Sequence, residues 1–124
     1  MLRSAYDAYA VMAWGEVGEP ASVEIDNVGR LAEALTGVRR TARNGLVEWR
    51  YHGRLVARQL DDSHLVIRAN FADRDALVRR FPGTFSVPAR YTKHMMVVAD
   101  FASGGAGAIE DALEAAWQLQ WSAD

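Results

Sequence analysis

The sequence predicts an α+β domain in two layers: an antiparallel sheet of about five strands with helices mainly on one face. Three observations lead there. Apolar residues recur at helical spacing in three separate segments. Five short runs carry strand composition and are bounded by turn residues. From Val28 to Gln120 these segments follow the order α-βββ-α-ββ-α, which suits helices packed on one antiparallel sheet. The chain has 124 residues, 50% hydrophobic and 24% charged. That is an ordinary mix for one domain, and a chain of this length buries enough surface to need no disulfide or metal.

Val28, Leu31, Ala32 and Leu35 form the first apolar stripe. Asp26 or Asn27 is the expected N-cap and Gly37 the expected C′ residue. Arg39, Arg40 and Arg43 then fall in an expected loop that ends at Asn44-Gly45. Leu46 to Tyr51 and Arg54 to Leu60 read as strands joined by His52-Gly53, a short turn with the glycine a hairpin wants. Asp61-Asp62-Ser63 makes a second turn, and Leu65-Val66-Ile67 a third strand. Asp73 is the expected cap of a short helix that buries Leu77, Val78 and Phe81 and stops at Pro82-Gly83. Phe85 to Val87 and Met95 to Ala99 are the last strands, joined across Pro88 to His94. After the connector Ser103 to Gly107 comes the final helix, with Ile109, Leu113, Ala116, Trp117 and Gln120 on one side.

Residues 1–22 read as an extension to a single domain spanning 23–124. Leu2, Tyr6, Tyr9, Ala10 and Ala13 have helical spacing until Gly15, Gly18 and Pro20 break it. A docking helix, a frayed tail and a leader ahead of the true start are all open readings. No apolar run approaches the roughly 20 residues of a membrane span. Arg3 and Asp7 do not suit a secretion signal, and cysteine is absent. The expected location is therefore the cytoplasm, without membrane association.

The net charge of −2 conceals an asymmetry. Residues 28–99 hold 13 Lys/Arg against six acids, whereas residues 1–27 hold one base and five acids, and residues 100–124 five acids and no base. Such a layout suits a polyanion-binding face. It equally suits strands that carry arginine on a solvated face while the helices carry acids.

The sequence offers little to catalysis. The absence of cysteine removes a thiol nucleophile and a cysteine zinc site. His52 and His64 flank one strand and should lie more than roughly 20 Å apart, whereas zinc ligands converge at about 2 Å. Asp61, Asp62 and His64 cluster, but as turn chemistry. No Gly-x-Ser-x-Gly elbow occurs, and no serine stands near a recognisable His and acid pairing. Glu110, Asp111 and Glu114 are expected in the first turns of the last helix, complementing its dipole. The glycine-rich connector lacks the Lys-Ser/Thr of a P-loop. Trp49, Trp117, Trp121, Phe81 and Phe101 are expected to be core and docking residues, as are Met95 and Met96. No catalytic residue, metal or cofactor is expected.

Two loops carry a binding reading. Arg50-Tyr51-His52-Gly53-Arg54 surrounds the first hairpin tip, and Arg90-Tyr91-Thr92-Lys93-His94 forms the last connection. Both mix bases with an aromatic, as contacts to a nucleic-acid backbone and its bases require.

The stretch from about 26 to 120 resembles the YjbR/MmcQ family of small bacterial proteins. The likeness lies in Ile25-Asp26 with Leu35-Thr36-Gly37-Val38, and in Trp49 to Arg58, which is similar to the family's aromatic–Gly–basic–apolar–Ala–Arg hairpin. It continues in Phe81-Pro82-Gly83-Thr84-Phe85, in Arg90-Tyr91 with Met96-Val97-Val98, and in Ala112-Leu113 with Ala115-Ala116-Trp117. The chain departs from the pattern at Gly45-Leu46-Val47, where members often have Gly-x-Pro, and at His94-Met95, where they often have Pro-Trp. The resemblance implies a two-layer α+β fold, similar to secretion-chaperone-like folds and compared with frataxin/CyaY, and DNA binding through two β-hairpin wings. On that expectation this is a non-enzymatic DNA-binding domain. Arg50, Arg54, Arg90 and Lys93 would neutralise phosphates and Tyr51 or Tyr91 would stack. The alternative is a protein-interaction module that uses an exposed sheet face or edge.

Overall fold

The computed structural model describes residues 24–123; the amphipathic pattern read at residues 1–22 lies outside them. The elements run α1 (Ile25–Glu33), β1 (Val38–Arg43), β2 (Leu46–Tyr51), β3 (Arg54–Gln59), β4 (His64–Arg68), α2 (Phe71–Arg80), β5 (Phe85–Ser86), a 3-10 turn (Ala89–Tyr91), β6 (Met96–Asp100) and α3 (Ala106–Ser122). The six strands form one open antiparallel sheet in the order β1-β2-β3-β4-β6-β5. The fold is α+β, with one strand more than expected. No described helix is long and apolar enough to cross a membrane.

The additional strand is β1, in the segment expected to be a loop. Only Val38 of its six residues is buried. An edge strand needs little apolar patterning because one long side borders solvent. Asn44-Gly45 turns it into β2, with φ of 55° and 80°, and His52-Gly53 turns β2 into β3, with φ of 50° and 82°. Positive φ at both central residues defines the type I′ turn, whose twist matches that of the flanking strands.

Helix starts differ from expectation. α1 begins two or three residues early at Ile25, and its N-cap Glu24 makes no side-chain cap bond. α2 is capped by Asn70, whose Oδ1 accepts the Asp73 N–H at 2.7 Å; Asp73 is the recipient of the cap and not its source. α3 begins at Ala106, so its first turn holds no acid and Glu110 lies a turn further in. A buried apolar face, not capping chemistry, sets this start, since Ala108, Ile109, Ala112, Leu113 and Ala116 are all buried.

The three helices cover one face of the sheet. Trp49, Ala57, Leu65, Ile67, Val97 and Ala99 meet Val28, Ala32, Leu77, Ile109 and Leu113 in the main core. Trp49 is fully buried, and its Nε1 donates to Glu33 Oε2 at 3.0 Å, tying α1 to β2. Trp117 Nε1 donates to the Thr36 carbonyl at 2.8 Å, tying α3 to the turn after α1. Trp121 is the exception among the expected docking aromatics. It is 56% exposed, stacked on Trp117 beyond the end of the packed stripe.

Gly37 enters β1 at φ +82°, and a Cβ there would stand 2.8 Å from Tyr51 Cε1. Helix α1 itself closes earlier, at Ala34. Gly37→Ala therefore combines strained backbone with a clash against a buried ring. It should lower stability by about 2 kcal/mol or more, measured as a lower midpoint in urea with unchanged slope.

Candidate nucleic-acid interface

Strand alternation and register place the side chains on the face away from the helices. Val38 and Trp49 point into the helix layer, so Arg39, Thr41 and Arg43 of β1 point the other way, with Glu48 and Arg50 of β2. Arg58 pairs with both Glu48 and Val66, and Val66 with Val98. Val66, Val98 and Tyr91 form a second, smaller apolar cluster, with Met96 packed against it. Arg68 stands opposite Met96. The outer face thus carries Arg39, Arg43, Arg50, Arg58 and Arg68 around a small apolar patch.

Of the residues expected at the site, Arg50, Arg90 and Tyr91 lie on this side. Arg50 Nε contacts Glu48 Oε1 at 3.1 Å, and its Nη1 donates to the Gly53 carbonyl at 3.0 Å. Arg90 lies over the Tyr91 ring at 4.9 Å. Tyr91 itself is buried on the apolar patch, and its hydroxyl accepts from Arg58 Nη2 at 3.1 Å. Lys93 is exposed in the same connection. Arg74 of α2 holds that connection by donating from Nη1 to the carbonyls of Thr92 and His94, both at 3.0 Å.

The other two residues turn toward the helices. Tyr51 is buried, stacked on His52 with ring centroids 4.0 Å apart. Arg54 Nη1 donates to the Gln120 carbonyl at 3.3 Å, and Gln120 Nε2 donates back to the Leu55 carbonyl at 2.6 Å. Tyr51 pairs directly with Arg54, so both side chains share the helix face, while Arg50, one step back, takes the opposite one. The first hairpin is therefore not a wing that presents both arginines to one ligand.

Sequence reasoning missed Arg39, Arg43, Arg58 and Arg68. Their signal is two-residue spacing within strands: Arg39-x-Thr41-x-Arg43 in β1, and His64-x-Val66-x-Arg68 in β4.

Glu48 organises the left half of this face. It is only 8% exposed, and its carboxylate meets Arg50 at 3.1 Å and Arg43 at 3.7 Å. On the right half, half-buried Arg68 has an Nε with no hydrogen-bond partner.

At the lower edge of β4, Asp61 Oδ1 accepts the Ser63 N–H at 2.9 Å and lies 2.9 Å from His64 Nδ1. Ser63 Oγ is 3.0 Å from the same Nδ1. A serine, a histidine and an acid come together here, all from the one turn whose cluster was expected as turn chemistry. A relay needs its serine and acid on different ring nitrogens; here one nitrogen serves both. His64 Nε2 instead faces Asp100 Oδ2 at 4.0 Å. The cluster clamps the β3–β4 turn to the end of β6. Among the described residues no group of His, Cys, Asp and Glu could hold a metal ion.

Comparison of the chain with protein-family models, with curated proteins and with solved structures found no match.

Two predictions follow from these charges. The Ser63 backbone N–H, then the His64 hydrogen bond, holds the Asp61 carboxyl below its ordinary 3.8. For Asp100, partial burial pushes upward, but the Ser103 hydroxyl and N–H outweigh it and the net direction is also down. Depressed carboxylates stabilise fully above the unfolded-state value and lose that contribution as pH falls through the folded one. The double variant Asp61→Asn/Asp100→Asn should therefore show a shallower loss of stability than the parent between about pH 5 and pH 2, followed by urea midpoints across the pH series. Separately, Glu48→Gln leaves Arg43 and Arg50 without their shared counter-charge and should cost about 1–3 kcal/mol, again read by urea unfolding.

Proposed function

We propose that this chain is a non-enzymatic binding domain that takes nucleic acid on the outer face of its sheet. The observation that carries the reading is the gathering of Arg39, Arg43, Arg50, Arg58 and Arg68 on the one face that no helix covers. Guanidinium groups suit phosphate because their planar fork donates two hydrogen bonds to one acceptor group. Exposed Arg90 and Lys93 extend the basic field at the rim. Acids of α3, Glu110, Asp111 and Glu114, are exposed on the helix layer, so a polyanion would be drawn to one side of the molecule and repelled by the other. The resemblance to YjbR/MmcQ proteins points to the same ligand class by a different route.

The contact is to the backbone. Tyr51 and Tyr91 are buried, so the stacking first assigned to them is not part of this reading, nor is a phosphate role for Arg54. Binding that rests on phosphates has little sequence preference and falls steeply with salt.

Fluorescence anisotropy with labelled duplex DNA across a salt series tests the idea. Up to five phosphate contacts give a log–log slope near −4.5. The pair Arg39→Gln/Arg43→Gln should reduce the slope by about 1.8, while Arg79→Gln, on the exposed end of α2, should leave it unchanged. No binding at low salt, or an equal loss in the Arg79 variant, would sink the reading.

A further inference from the structure

We propose that β1 is a receptor edge that adds one extended acidic peptide segment as a seventh strand. Among the described residues β1 ends the sheet and pairs only with β2. That pairing runs without a break from Val38–Tyr51 to Arg43–Leu46. A two-residue hairpin closes on a hydrogen-bonded pair, here Arg43–Leu46, so the bonds to β2 fall on Arg43, Thr41 and Arg39. The N–H and C=O groups of Val38, Arg40 and Ala42 therefore point away from the sheet. The Val38 N–H is already donated to the Leu35 carbonyl at 3.1 Å. Arg40 and Ala42 thus offer two outward donors, with the carbonyls of Val38, Arg40 and Ala42 as acceptors. Residues 39–43 are all exposed, and β1 contains no proline.

Charge selects the occupant. Three of the six β1 residues are arginines. Arg39 and Arg43 lie on the outer face, and Arg40 on the helix face, 3.7 Å from Glu33 in an exposed pair. A strand laid along this edge sends alternate side chains to both faces, so acids at either parity meet a guanidinium. A second copy is a poor occupant, because antiparallel pairing of β1 with itself would set three arginines against three. The occupant is therefore a partner segment rich in Glu or Asp and in β-branched residues, bound by main-chain hydrogen bonds with charge providing selection.

The test uses the full chain and a labelled ten-residue peptide of alternating Glu and Val. Ala42→Pro removes one outward donor while leaving the β1–β2 bonds intact, since proline is tolerated where the strand N–H faces solvent. Amide hydrogen exchange should show new protection at Arg40 and Ala42 when the peptide is added to the parent. Anisotropy should show at least tenfold weaker binding to Ala42→Pro, and none of an alternating Lys and Val peptide to the parent. Duplex DNA binding should be the same for Ala42→Pro as for the parent, which separates this edge from the outer face. Equal binding of the peptide to both proteins would overturn the proposal. So would equal binding of oligoglutamate without valine, or protection of these two amides before any peptide is added, which would mean that residues 1–23 or a second copy already cover the edge.

Discussion

The outer face is built around one nearly buried carboxylate. Glu48 stands beside Trp49, and the two adjacent residues answer the two sides of the same strand. Trp49 goes fully under α1, and Glu48 goes to the other side between Arg43 and Arg50. Without a charge at that point, cross-strand neighbours Arg39 and Arg50 would repel with nothing between them and the next arginine on β3. Glu48 and, at the end of β6, Asp100 are two acids against five arginines, which lowers the repulsion and leaves the face positive. Its stability is supplied from the helix side.

That supply is one-sided. The main core joins α1, α2 and α3 to a single face, and among the described residues the smaller Val66–Val98–Tyr91 cluster is the apolar burial on the other. The consequence for charge is geometric. Arginines with a structural task, such as Arg54 at the end of α3 and Arg74 under the last connection, bond backbone carbonyls. On the outer face, Glu48 meets Arg43 and Arg50, the Tyr91 hydroxyl meets Arg58, and Arg50 also donates to the Gly53 carbonyl. The asymmetry along the sequence therefore becomes an asymmetry across the molecule, with five of the seven strand arginines on one layer and the acids of α3 on the other.

Much of the fold was legible because buried strands need apolar residues. β2, β3, β4 and β6 sit within one residue of their expected places, since each is a short apolar-rich run with a buried centre. β1 has no such run to read, being buried only at Val38. Asn44-Gly45 was the available sign, because a type I′ turn has a strand on both sides. The site was less legible for a related reason. Grouping residues by loop put Arg50 with Arg54, whereas a pleated strand separates neighbours and unites residues two apart or one strand across. Register, not proximity in the chain, decided which arginines share a surface, and register appears only when the strands are paired. Helix starts were misplaced where packing overrode local preference, as at Glu24 and Gly105.

The opposite border of the sheet is β5, which offers two residues before the chain passes Val87 into Pro88. Growth by strand addition propagates when each newcomer exposes an edge that matches the last receptor. Here one border is six residues long and cationic while the other is a stub, so two copies of this chain cannot join border to border in a repeating series. A complex formed by the proposed strand addition would therefore be stoichiometric and self-terminating.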